Sequence, residues 1–184
     1  MNLVKALTMP ATTRYLRPIT LAICGIAALT ASSYVAVPMY PVPVTMQTAV
    51  VLLLGALCGA GMGAGIVIGW LGLAFVGAPV LADGAGGPAA FMGPTAGYLA
   101  AFPAAAFLAG FVTQKKNWMG IGARFAAFSA LHVVILGFGF AWLSTLFGAE
   151  TAFASGVAPF IIGAFLKSGL AAALVSVIPS ARAK

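Results

Sequence analysis

A single cation interrupts the apolar run PFIIGAFLKSGLAAALVSVI, residues 159–178. Lys167 stands roughly ten residues from either end of it, too far for its ammonium to snorkel easily out of hydrocarbon. A lysine at the centre of a membrane helix costs about 2.5–3.5 kcal/mol on insertion scales. On a helix its same-face neighbours are Gly163, Ala164, Leu170 and Ala171, three of them small. Small residues around a buried cation mean either close helix packing or space for something else. No acid in the run neutralises it. A bound anion would supply both the charge and the volume; a purely structural lysine is the competing reading.

Other candidates flank it in chemistry rather than in sequence. Asp83 lies in LADGAGGP, where Asp-Gly reads first as a turn pair. The surrounding segment is long, apolar and glycine-rich, a composition suited to folding back over a helix bundle and lining a cavity. Tyr40, Thr45 and Gln47 border a proline-rich connection, and Tyr98 opens a later apolar segment at the same level. Each serves either as an interfacial anchor or as a wall of the same site. Glu150 reads as a solvated loop acid. His132 reads as a packed or interfacial histidine towards the inner side.

Enzymatic chemistry finds no support. There is no His or Cys cluster of metal-binding type, no paired carboxylate, and no nucleophile beside a base. GAFLKS lacks the glycine before the lysine that a phosphate-binding loop requires. Uphill transport would therefore draw on a partner or an ion gradient. Cys24 and Cys58 fall inside apolar segments without ligand spacing and read as small packing residues.

The elements that hold these residues follow from composition. Of 184 residues, 62% are hydrophobic and 6% charged, against about 25% charged in a soluble domain. Lipid must be the solvent for most of the chain. The apolar runs are continuous rather than alternating, so they are helices and not strands of a barrel. The expected architecture is an all-α integral membrane protein. It is one domain over 1–184, with six spans at roughly 17–37, 46–59, 62–78, 95–113, 125–147 and 157–178 in one bundle. Pro38, Pro41 and Pro43 enforce an extended link after the first span, CGAGMG makes a tight turn, and 79–94 forms a longer loop.

The net charge of +7 comes without the basic stripe that nucleic acid would require. It is better explained by orientation. Every basic residue except Lys167 falls in the N-terminal segment, the 114–124 loop or the C-terminal tail, on one side of a six-span chain; Asp83 and Glu150 fall on the other. The positive-inside rule then places both termini in the cytoplasm. In the first span, GIAALTASSYV spaces Ala27 and Ala31 four apart. That small-residue face suits internal packing or a second membrane subunit.

YPVPVTMQT, PVLADGAGG, GPTAGYL and PFIIGAFLK, in this order and spacing, resemble the biotin-specific substrate-binding component of energy-coupling factor transporters, the BioY family. The resemblance runs from about residue 20 to the end of the last span. It implies a multi-pass protein of the bacterial plasma membrane that captures biotin from outside without a cofactor. It would work with a membrane coupling subunit and ATPase subunits, although some members are proposed to act without them. Lys167 matches the lysine of the biotin site. Asp83 occupies a position in the loop that closes over biotin, with Gly86 and Gly87 beside it; Gln47, Tyr98 and Tyr40 belong to the motifs at the same end. Ala27 and Ala31 would belong to the face that meets the coupling subunit.

Two departures stand out. Ala164 replaces an acid that often precedes the lysine in the family, and Ala96 replaces a glycine. The missing acid would have paired with Lys167 and accepted from the ureido N–H groups of biotin; Asp83 is the candidate to take over. Two other readings are a component for another small vitamin and an assembly protein without a ligand. The second leaves Lys167 unexplained. An ion-coupled carrier would need membrane acids, and no predicted span contains one.

Overall fold

The computed structural model describes residues 11–113 and 120–178. Lys5, Lys115, Lys116, Arg182 and Lys184, which the charge argument used, lie outside the described residues. Within them the chain forms seven α-helices and one two-stranded hairpin. The helices are α1 (Ala11–Tyr34), α2 (Gln47–Cys58), α3 (Ala60–Phe75), α4 (Ala96–Thr113), α5 (Ile121–Phe147), α6 (Ala149–Gly156) and α7 (Phe160–Val177). Strands β1 (Ala36–Val37) and β2 (Val44–Thr45) pair antiparallel, with Ala36 opposite Thr45, and enclose the proline-rich connection.

Six spanning helices were expected, and the described residues hold seven helices, not all of them of spanning length. α6 occupies the stretch read as the loop around Glu150. Its sequence AETAFASG is rich in good helix formers, and Glu150 lies in its first turn, where the helix dipole favours an acid. The first helix also ends at Tyr34 rather than 37, and the third at Phe75 rather than 78. Between α2 and α3 the expected glycine turn contracts to one residue, Gly59, at φ 105°, a conformation that glycine adopts at little cost.

Among the described residues, four helices are long and apolar enough to cross a membrane: Leu16–Tyr34 within α1, α4, α5 and α7. The 12 residues of α2 rise only about 18 Å, against about 30 Å of hydrocarbon. The hairpin that feeds α2 stands at the end where it falls short. Irregular backbone at that depth is tolerated where it lines a cavity or is covered by protein. Large apolar side chains such as Ile23, Ile68, Phe111, Val133, Ile162 and Leu166 face outward. This surface suits lipid.

The core forms around α4, which packs against α2, α3 and α5. Trp70, Phe128, Leu52, Val67 and Ile135 are fully enclosed there. Close approach requires glycine at Gly55, where an added Cβ would stand 2.0 Å from the Ala106 carbonyl oxygen on α4. α7 packs on the other side, against α5 and α2. Arg124 near the start of α5 donates to Ser176 Oγ near the end of α7 at 2.7 Å, so these two helices run in opposite directions. α2, α4 and α7 thus begin at one end of the bundle, which is also the end of Asp83 and Glu150. Arg17 and Arg124 lie at the other.

Candidate functional site

A cavity of about 230 Å³ opens where α2, α4 and α7 begin, with the middle of α5 as its far wall. One buried water needs about 10–15 Å³, so the void is of small-molecule size. Most of its wall is apolar, from residues such as Val42, Leu81, Phe102, Ile135 and Phe160. A few polar groups converge on it, the usual composition of a ligand pocket.

Lys167 is one of them. It is buried and lines the cavity from α7. Its ammonium donates to the main-chain carbonyl of Thr45 in β2. Among the described residues it has no carboxylate partner. Ala164, one turn earlier, also lines the cavity.

Gln47, the first residue of α2, lines the cavity and is tied down on both sides. Its Nε2 donates to Ser33 Oγ on α1 at 2.8 Å, and its Oε1 accepts from the Thr45 hydroxyl at 3.0 Å. Ser33 in turn donates to the Leu29 carbonyl at 2.9 Å. This chain of bonds joins α1, β2 and α2 and fixes the carbonyl that holds Lys167.

Tyr98 forms a wall on the α4 side. Its hydroxyl donates to the Gly156 carbonyl of α6 at 2.7 Å, and its ring stacks on Phe160 with centroids 6.1 Å apart. The phenol is thereby committed to the protein, and the ring is what it offers the cavity.

Asp83 lines the exposed mouth, within a single 3-10 turn over Ala82–Gly84. It holds the left-handed conformation, φ 56° and ψ 24°, which Asp tolerates better than most residues. Tyr34 of α1 donates to the Pro79 carbonyl at 2.6 Å and anchors the loop. Gly86 and Gly87 lie outside the cavity lining, and both serve the loop's backbone. A Cβ on Gly86 would meet the Ala78 carbonyl oxygen at 2.4 Å. Gly87, at φ 84°, donates its N–H to the Ala74 carbonyl at 2.7 Å. Tyr40 is 85% exposed and also outside the lining. Ala27 and Ala31 are exposed on α1, away from the cavity.

Polar lining residues that the sequence reading did not assign to a site include His132, Thr48 and Thr95. His132 was expected as a packed or interfacial residue towards the inner side, because α5 was expected to start at 125. The helix starts at Ile121, so His132 falls at mid-depth, 3% exposed. Its Nδ1 lies 3.1 Å from the Phe128 carbonyl and 2.9 Å from Ser168 Oγ; its Nε2 lies 3.1 Å from Thr48 Oγ1. Both His132 and Thr48 line the cavity.

The comparisons with known proteins agree on one group. A sequence model of the BioY family matches residues 4–184. The chain is similar to the probable biotin transporter BioY of Pyrococcus horikoshii, 32% identical over 155 residues that cover 84% of this chain and 91% of the relative. It is similar to the biotin transporter BioY of Rhizobium etli, 36% identical over 143 residues, 73% of this chain and 76% of that one. Among solved structures it is similar to the S-component for biotin from an ECF-type ABC transporter. The TM-score is 0.79 at 28% sequence identity, covering 91% of this chain and 93% of that one.

Proposed function

The chain belongs to the BioY family, and from that premise we propose that it is the biotin-capturing membrane subunit of an energy-coupling uptake transporter. One observation carries the reading: a buried ammonium without a carboxylate partner among the described residues, at the wall of a small-molecule-sized cavity inside a membrane bundle. The burial cost of that charge is offset when a polar ligand group completes its shell.

The cavity opens at the end away from Arg17 and Arg124. With the basic end in the cytoplasm, the mouth faces outward and biotin enters past Asp83. Lys167 takes a carbonyl or anionic group of the ligand, the apolar walls take its ring and chain, and the 79–94 loop covers the mouth. Asp83 acts from that loop as an acceptor. The chain carries no ATP-binding loop, so uptake draws its energy from ATPase subunits through a coupling subunit docked at Ala27 and Ala31. The plasma membrane is its place of work.

The test is direct. The purified full chain in detergent should bind biotin at submicromolar concentration in a calorimetric titration. Failure to bind biotin at micromolar concentration, by a folded and monodisperse sample, would leave an assembly role without a small ligand as the better reading.

A further inference from the structure

The Lys167 ammonium supplies a donor to the cavity. A cyclic urea presents a carbonyl flanked by N–H groups, so a site that reads the whole head needs an acceptor as well. At Ala164 the helix offers only a methyl group. The buried polar groups around Lys167 are mostly committed. Gln47 spends its amide nitrogen on Ser33 and its oxygen on Thr45. The Tyr98 hydroxyl is given to Gly156.

His132 and Thr48 differ, because their hydrogen bonds fix a direction. The Phe128 carbonyl can only accept, so the 3.1 Å contact to Nδ1 places a proton on Nδ1. Ser168 agrees: its hydroxyl donates to the Ala164 carbonyl at 2.8 Å, leaving its oxygen to accept from the same Nδ1–H. Lys167 already places a positive charge at this depth, and a second cation beside it would be repelled. The ring therefore stands as neutral imidazole, and Nε2 carries a lone pair. Across 3.1 Å the partner of Nε2 is Thr48 Oγ1, which must donate its one hydrogen to it. Both lone pairs of the Thr48 oxygen are then left over, on a residue that lines the cavity.

The geometry points to Thr48, oriented by His132, as an acceptor within the cavity that reads one ligand N–H, working as the counterpart of the Lys167 donor beside Asp83 at the mouth. The substrate class is a urea or secondary amide, with its carbonyl on Lys167 and its N–H on Thr48. This inference rests on the biotin reading and adds the residues that distinguish the urea head from a plain carbonyl or carboxylate. His132 is a positioning residue here: it sets the direction of the hydroxyl. It also makes an acid at position 164 unnecessary for N–H recognition.

The experiment is a biotin titration of the full chain in detergent, by calorimetry, with monodisperse elution as the folding control. Thr48→Val keeps the side-chain shape and removes the oxygen; affinity should fall about tenfold. Thr48→Ser keeps the hydroxyl and should stay within about threefold of wild type. His132→Leu should also weaken binding, and the double variant should be no worse than Thr48→Val alone, because both changes remove one unit. If His132→Leu elutes as aggregate, His132→Gln takes its place in the cycle. Wild-type binding with Thr48→Val unchanged overturns the acceptor role and leaves the biotin reading intact. Additive losses in the cycle overturn the orienting role of His132. A wild-type chain that binds no biotin overturns both the inference and the function it rests on.

Discussion

The ammonium of Lys167, midway along α7, donates to the main-chain carbonyl of Thr45, 122 positions earlier in the chain. The bond joins the last helix to the hairpin that precedes α2. It gives the buried charge one partner of its own. Two more N–H groups of the ammonium remain for the cavity.

Removal of this charge separates binding from folding. An apolar side chain of similar length relieves the membrane cost of the ammonium and gives up one hydrogen bond to Thr45. Lys167→Met should therefore fold, with an apo melting temperature equal to or above wild type in detergent. Biotin affinity should fall at least tenfold, since hydrogen bonds to charged groups contribute about 1.5–3 kcal/mol. A melting temperature several degrees lower would make the lysine chiefly structural.

The mouth of the cavity makes a second prediction. Asp83 holds φ 56°, where a residue without a short polar side chain pays about 1–2 kcal/mol. Asp83→Asn keeps the backbone preference and removes the charge; Asp83→Ala loses both. Biotin affinity should drop in the order wild type, Asn, Ala, with the larger change in the dissociation rate if the proposed closure of the loop over the ligand holds. Stopped-flow binding reads both rates. Unchanged affinity in both variants would remove Asp83 from the site.

Packing at the centre of the bundle gives a third. A Cβ at Gly55 would lie 2.0 Å from the Ala106 carbonyl, whereas one at Gly61 meets nothing within 4 Å. Gly55→Ala must push α2 off α4, at a cost of about 1–3 kcal/mol. Gly61→Ala should be neutral or stabilise by up to about 1 kcal/mol through helix propensity. Thermal melts of the two variants in the same detergent check this; equal melting temperatures would mean that α2 and α4 are not in contact there.

Much of the cavity wall was legible because charge in an apolar run is conspicuous. Lys167, Asp83, Gln47 and Tyr98 come together around one cavity, although no two lie in the same helix. Gly86 and Gly87 shared a motif with Asp83, yet their close approaches to Ala78 and Ala74 are backbone matters that composition does not distinguish from ligand contact. Tyr40 sits next to the prolines of the hairpin, and its outward direction depends on a turn that the sequence does not specify. His132 was missed for a geometric reason. A continuous apolar helix gives no internal mark of depth, so with its start misplaced by four residues the histidine read as packed or interfacial rather than as part of a cavity wall. Its partner Thr48 lies 84 positions away. The signal available was the depth of each polar residue within its span. α6 was hidden because a glycine on each side and one acid look like a loop, while the alanines between them favour a helix.

The last prediction concerns the outer face of α1. Ala27 and Ala31 are exposed there, on a helix whose other side carries the buried Leu29, Ser32 and Ser33. Small side chains one turn apart let a second helix approach closely, and a larger residue holds it away. Ala27→Leu and Ala31→Leu point into lipid in the isolated chain, so neither should change its melting temperature or its biotin affinity. Both should abolish copurification with the membrane coupling subunit and ATPase subunits when the set is coexpressed, and biotin uptake should fall with it. Retained copurification would move the docking face elsewhere on the bundle. Loss of biotin affinity in the isolated chain would mean instead that α1 supports the Ser33–Gln47 bond and that these alanines act through the site.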